Sequence, residues 1–244
     1  MDRLIYTAMT GAKYLFERQA TLAHNLANAS TTGFRADIVG LRAVPATGAQ
    51  AGTRVFTVET TIGSNFAVGQ MTSTSRPLDV AVQGAGWLAV QGSDGTEAYT
   101  RDGNLHVGPD ATLQLTNGMQ VVGTGGPITM PADAQSVTIG SDGTVSVKSA
   151  SSTLPTTIGK LKLVNPPTAG LAKGTDGMFR LRNGDTADAD PAVKVVGGSL
   201  EGSNVNVIES MVDMIGAARQ YEMQMKMLST AEQNEQKAGT VLGA

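Results

Sequence analysis

Val207-Ile208-Glu209-Ser210-Met211-Val212-Asp213-Met214-Ile215-Gly216-Ala217-Ala218-Arg219-Gln220-Tyr221-Glu222-Met223-Gln224-Met225-Lys226-Met227-Leu228 places apolar residues on a seven-residue beat. One series is Val207, Met214, Tyr221 and Leu228, the other Met211, Ala218 and Met225, with Ile208 and Ile215 alongside. This predicts a helix over 207–238. A second such stretch lies at the opposite end, where Met1, Ala8, Leu15, Leu22 and Ala29 alternate with Ile5, Ala12 and Leu26, and Gln19 is the polar interruption. It predicts a helix over 1–28. At 1.5 Å per residue these are rods of roughly 42 to 48 Å, each with an apolar stripe that it cannot bury against itself. Nothing between them reads as a long helix, and an arrangement of that kind suits a subunit of an assembly.

The helix ends are marked locally. Asn28-Ala29-Ser30-Thr31-Thr32-Gly33-Phe34 sets side chains that compete for backbone hydrogen bonds ahead of a glycine able to take positive φ, so the chain turns there. Asn206 stands at N-cap spacing from Glu209, and Glu201, Glu209 and Asp213 bring negative charge to the positive end of the helix. Residues 1–35 hold Arg3, Lys13, Arg18 and Arg35 against Asp2 and Glu17, whereas 200–244 hold three basic side chains against six acidic ones. The opposite signs favour pairing of the ends, modestly and in a salt-dependent way.

Between the helices, short β-branched or alternating runs are punctuated by glycine, thirty of which occur in the 244 residues. Strands are expected at 53–61, 78–83, 87–90, 112–116, 119–122, 137–139, 144–147, 160–164, 178–181 and 192–196. Gly-Ser-Asp-Gly-Thr occurs at 92–96 and again at 140–144, with a looser echo at 108–112; this is hairpin turn chemistry. Residues 36–68, with Pro45 and few large apolar groups, read as an extended arm or hairpin, marginal without a neighbour. The fold class is therefore α+β. A discontinuous helical domain (1–35 and 200–244) pairs in coiled-coil fashion beside the arm (36–68) and a mainly antiparallel β body (69–199).

Chemistry is scarce. A net charge of −3 without any Lys/Arg cluster argues against nucleic-acid binding. Cysteine is absent, which excludes disulfides, thiolate metal sites and a Cys nucleophile. His24 and His106 have no triad or metal-ligand spacing around them, Gly84-Ala85-Gly86-Trp87 lacks the third glycine and the helix of a dinucleotide loop, and Asp185, Asp188 and Asp190 match no calcium loop. No catalytic residue, cofactor or metal is assigned. No apolar window is long enough to span a membrane, and Tyr6, Lys13, Glu17 and Arg18 break up any signal-peptide core. The expectation is a cytoplasmic protein, or one exported with its N-terminus intact.

Several stretches then become specific. Leu22-Ala23-His24-Asn25-Leu26-Ala27-Asn28-Ala29-Ser30-Thr31-Thr32-Gly33-Phe34-Arg35 resembles the signature of bacterial flagellar basal-body rod and hook proteins. So do Arg76-Pro77-Leu78-Asp79-Val80-Ala81-Val82, Tyr99-Thr100-Arg101-Asp102-Gly103, Leu171 to Arg180, Gly198 to Asn206, Glu209 to Ile215 and Arg219-Gln220-Tyr221-Glu222. Trp87 stands where the family often has Phe, and Ala85 interrupts the glycine turn. Residues 1–12 are nearer to proximal-rod members than to distal-rod ones. The resemblance implies paired termini lining an axial tube with the β body outside, and a structural role in a torque-carrying rod that crosses the periplasm. It implies export by the flagellar type III apparatus, and other rod subunits, including the distal-rod protein, as partners. The expected assembly interface comprises Ile5, Ala8, Leu15, Leu22, Asn25, Leu26, Asn28, Gly33 and Phe34 at one end, and Val207, Met211, Met214, Ala218, Tyr221, Met225 and Leu228 at the other. A distal-rod or hook-type subunit is the alternative within the family. Outside it, a β-rich adhesin or glycan-binding module would leave the terminal helices unexplained, and a glycan-cleaving enzyme lacks a carboxylate pair.

Overall fold

The computed structural model describes residues 2–45, 55–92, 94–150, 152 and 154–242. The chain is α+β, with two α-helices and mainly antiparallel sheets among the described residues, and divides into two compact units.

The first unit takes Met1–Asn28, Asp37–Ser64 and Val205–Ala244. Helix α1 (Asp2–Ala27) has 26 residues against 36 in α2 (Val207–Leu242). Asn206 caps α2 as its spacing predicts, its side-chain oxygen accepting from the Glu209 N–H at 3.3 Å. The helices pack on each other and run antiparallel: Arg18 of α1 lies 3.7 Å from Asp213 of α2, while Gly11 faces Gln224. This is the cross-helix attraction anticipated from the opposite charges. Both partners are substantially exposed, so it contributes at most about 1 kcal/mol. Strands β1 (Asp37–Pro45) and β2 (Val55–Ser64) form an antiparallel hairpin whose register shifts at Ile38/Val39. The tip of the arm, 46–54, lies outside the described residues, as does Thr53 of the expected strand 53–61.

The second unit takes Ala29–Ala36 and Asn65–Asn204. Its strands are β3 (Met71–Ser73), β4 (Val80–Gln83), β5 (Trp87–Gln91), β6 (Glu97–Thr100), β7 (Leu105–Val107), β8 (Leu113–Leu115), β9 (Gln120–Gly123), β10 (Gly126–Pro127), β11 (Ala134–Ile139), β12 (Thr144–Ser149), β13 (Thr156–Lys160), β14 (Leu163–Val164), β15 (Leu171–Lys173), β16 (Phe179–Leu181), β17 (Lys194–Gly197) and β18 (Ser199–Glu201). The largest sheet runs β15-β16-β6-β5-β9-β8-β7, with β10 on β9 and β14 on β5; β11-β12-β13 form another, and β17 pairs with β4 and β18 with β3. β5 lies at the centre because all of Trp87-Leu88-Ala89-Val90 is buried. Successive strand side chains point to opposite faces, so Leu88 and Val90 join the main core with Val80, Leu105, Leu115 and Val145, while Trp87 and Ala89 join Tyr99 and Phe179 in a second one. The Tyr99 hydroxyl accepts from the Ala187 N–H at 2.6 Å, and burial pushes its pKa up to about 12.

The expected hairpin turns are present, and they belong to a larger set. In Gly92–Thr96, Gly108–Thr112, Leu115–Met119, Gly140–Thr144 and Gly174–Met178 the first N–H reaches the fifth carbonyl and the fourth N–H the first carbonyl, all within 3.1 Å. The fourth residue is left-handed each time: Gly95, Ala111, Gly118, Gly143 and Gly177. Hydrogen bonds from the Thr144 hydroxyl and N–H hold the Asp142 carboxyl down at about 2, the same Thr96 groups lower Asp94, and Arg180 lowers Asp176. A folded-state pKa below the unfolded value stabilises above about 3.9 and ceases to do so as pH falls through the folded value. The melting temperature is therefore expected to drop between about pH 4 and 2, and to drop less steeply in Asp142→Asn; an identical slope in the variant would show that the turn carboxylate is not involved.

Candidate assembly surfaces and a buried ion cluster

Of the expected interface at the N-terminal end, Leu15 is buried, Leu22 and Leu26 are half-buried, and the side chains of Ile5 and Ala8 lie outside the described residues. Asn25 is buried for a polar reason: its amide donates to the Asp37 carbonyl at 2.9 Å and accepts from the Asp37 N–H at 2.8 Å, tying β1 to the last turn of α1. Asn28 folds back onto the His24 carbonyl, and His24 itself sits 3.1 Å from Asp37. These are polar stays of the helix end.

On α2 the two apolar series separate. Met214, Tyr221 and Leu228 are partly covered, and the positions that complete that face are Ala217, Gln224 and Ala231, of which the two alanines are buried. Ala218 is half-covered. Val207, Met211 and Met225 are exposed, so these members of the apolar stripe are left uncovered within the single chain. A close helix contact selects small residues, and Gly11 opposite Gln224 is of that kind. The large apolar groups consequently point outward: Ile208 is 76% exposed, Val212 64%, Ile215 56% and Met211 48%. At 100° per residue these four share the first two turns of one face. On α1, Phe16 and Met9 are likewise exposed.

Gly33 and Phe34 belong to the β body. Gly33 is left-handed, its N–H donates to the Glu201 carbonyl at 2.8 Å, and a Cβ there would overlap the Arg101–Asp102 backbone. Phe34 lies beneath the Lys173 ammonium, 4.1 Å from the ring centroid. The next residue leads to a feature that the sequence reading missed. The side chain of Glu201, wholly buried, accepts from Arg35 Nη2 at 2.6 Å and from Arg101 Nη1 at 2.9 Å, and both guanidinium groups have under a tenth of their side chains exposed. They lie 5.9 and 5.4 Å from the centroid of Trp87, the one tryptophan of the chain. Arg101 also donates to the carbonyls of Val82 and Gly84. Burial lowers the Arg101 pKa, Glu201 opposes this, and Arg35 adds to it.

The remaining candidates resolve into structure. Asp185 and Asp190 hold loop amides, His106 lies on β7 with its Nδ1 buried, and Trp87 packs against Phe66 and Phe179. Among the described residues no group of three or more His, Asp or Glu could hold a metal ion, and no helix is long and apolar enough to cross a membrane.

Comparison with known families places these segments in order along the chain. Residues 5–35 match "Flagella basal body rod protein", 81–147 "Flagellar hook protein FlgE/F/G D1 domain" and 196–240 "Flagellar basal body rod FlgEFG protein C-terminal". The chain is 45% identical over 250 residues to the flagellar basal-body rod protein FlgF of Salmonella typhimurium, covering 99% of both chains, and equally so to FlgF of Escherichia coli K12. It is 33% identical to the flagellar basal-body rod protein FlgG of Buchnera aphidicola from Schizaphis graminum, over 88% of this chain and 90% of that one. With such identity sustained from end to end, and with the rod-protein corner, body and C-terminal helix in their places, the chain belongs to the family of flagellar basal-body rod proteins.

Proposed function

We propose that this chain is a structural subunit of the proximal rod of the flagellar basal body, added to a helical tube through its terminal helices and carrying motor torque through it. Membership of the rod family fixes the basal body as its place, and the 45% identity to FlgF of two organisms, over 99% of each chain, favours the proximal position. The observation that carries the assembly reading is the apolar face of Ile208, Met211, Val212 and Ile215, which α1 leaves uncovered. Contiguous exposed apolar groups of this kind mark interaction sites. Full burial of each such side chain is worth about 1.5–3 kcal/mol, ample to drive addition of a subunit. Contacts that repeat without closing generate a filament.

In this reading Val207, Met211 and Met225, with Phe16 of α1, are buried by neighbouring rod subunits, the distal-rod protein lying further out. Met214, Tyr221 and Leu228 hold α1 and α2 together, and the spacing of three and four between 214, 217, 221, 224, 228 and 231 supports a coiled-coil-like seam. The type III export apparatus delivers the chain unfolded. Ile208→Asp/Ile215→Asp is expected to abolish swimming and incorporation into purified basal bodies while leaving the melting temperature of the isolated protein within about 2 °C, since neither side chain is covered within the chain. Normal swimming of that strain would place this face in solvent and remove the assembly reading.

A further inference from the structure

The chain crosses between its two units at 28/29, 36/37, 64/65 and 204/205. Within the β body the segments that carry these crossings converge on one residue. Glu201 Oε1 accepts from Arg35 and from the Gly69 N–H at 2.8 Å, Oε2 accepts from Arg101, and the Glu201 carbonyl accepts from the Gly33 N–H. Asn204 adds a polar lacing: its side-chain oxygen accepts from the Ala36 N–H at 2.8 Å, and its amide donates to the carbonyls of Asn65 at 2.8 Å and Ala67 at 2.9 Å. The backbones touch closely enough that a Cβ on Gly69 would overlap the Gly202 carbonyl.

Stability alone does not account for this arrangement. Apolar side chains of similar volume would fill the site as well or better, and the attested benefit of a buried Arg–Glu–Arg set is fixing geometry. Arg35 Nε and Nη1 and Arg101 Nε have no hydrogen-bond partner, so the cluster forgoes part of what its burial costs. What it does achieve is to join Arg35, Gly69 and Arg101 through one carboxylate, beside the Glu201 carbonyl that holds Gly33 and the Asn204 side chain that holds Ala36, Asn65 and Ala67.

We propose that the Arg35–Glu201–Arg101 cluster is a clamp that fixes the exit points of all four crossings on the β body, so that torsion applied to the helices reaches the body without slack. Its mechanical purpose rests on the rod reading; its geometry does not. Hydrogen exchange of the full-length chain, read by mass spectrometry, tests it. In Glu201→Gln, amides of 33–36, 67–70 and 200–204 should exchange about tenfold faster or more while β11–β13 keep the wild-type rate. Arg35→Met, which leaves a neutral Arg101–Glu201 pair and carries the test should Glu201→Gln not fold, should release 33–36 alone. Acceleration spread evenly over the body, or none, overturns the clamp. If the segments open as expected and a Glu201→Gln or Arg35→Met strain still swims normally, the mechanical role fails while the rod reading stands. Failure of Ile208→Asp/Ile215→Asp to stop assembly would remove the rod interface and leave the exchange result intact.

Discussion

Gly103→Ala is expected to remove about 4 kcal/mol or more of the stability of the β body, a large share of the ~5–15 kcal/mol that a domain of this size commands. The reason is backbone against backbone. A Cβ on Gly103 would overlap the Val80 carbonyl oxygen, and the same two residues are joined by the Val80 N–H donating to the Gly103 carbonyl at 3.0 Å. No flexible side chain can give way, and Val80 opens β4 in the main core, so the displacement is transmitted to buried neighbours. Gly33→Ala meets the same obstacle at the Arg101–Asp102 backbone and adds a left-handed φ of 68°. Gly118 provides the control. Its φ is 83° but nothing lies within 4 Å of a Cβ, so Gly118→Ala isolates the conformational term of about 1–2 kcal/mol. Urea denaturation followed by Trp87 fluorescence separates the cases. Gly103→Ala unfolding within about 1 kcal/mol of wild type would mean that the β4 backbone yields easily at this point.

Features set by neighbours in sequence were legible before the structure, and features set by distant segments were not. Asn206 with Glu209, the Asn28 corner and the Gly-Ser-Asp-Gly-Thr turns are local, and each is where the residues put it. The same turn geometry at Ala111 was only a faint echo, since alanine replaces the glycine that usually signals a left-handed residue. β6 and β7 escaped notice because Glu97-Ala-Tyr-Thr and Leu105-His-Val carry polar residues within strands of three or four. Periodicity announced both long helices and their apolar stripes, but not which positions of α2 meet α1 within one chain. Counting large apolar groups favours Met211 and Met225, whereas close packing against α1 favours Ala217 and Ala231. The ion cluster was hardest to foresee. Arg35, Arg101 and Glu201 all fall in the motifs that carry the family resemblance, but Glu201 joins partners 166 and 100 residues away, and no local pattern encodes that meeting. A charged residue fixed among glycines and apolar neighbours, as Arg35 is after Gly33-Phe34, was the available signal.

Charge arithmetic within that cluster gives the second large effect. Two guanidinium groups around one carboxylate leave a single positive charge in the interior. Glu201→Gln leaves two, with neither compensated, and breaking a buried pair in this way is expected to destabilise by about 3–5 kcal/mol. Arg101→Met leaves a neutral Arg35–Glu201 pair; it removes the bonds to the Val82 and Gly84 carbonyls and to Glu201 Oε2, and the loss is expected at about 2–3 kcal/mol. If charge governs, the double variant Arg101→Met/Glu201→Gln loses less than the two single losses added together, by roughly 1.5–3 kcal/mol, because removing one guanidinium relieves the repulsion that the first substitution exposed. The direction of the Arg101 pKa agrees: burial already disfavours its charge, and the neighbouring Arg35 deepens that penalty while Glu201 offsets it. Strictly additive losses would show that shape, and not charge, holds the site. Added salt provides an independent reading. Screening reaches the exposed Arg18–Asp213 pair but not groups sealed from solvent, so 1 M salt should weaken the contribution of the helix pair and leave the Glu201→Gln loss unchanged.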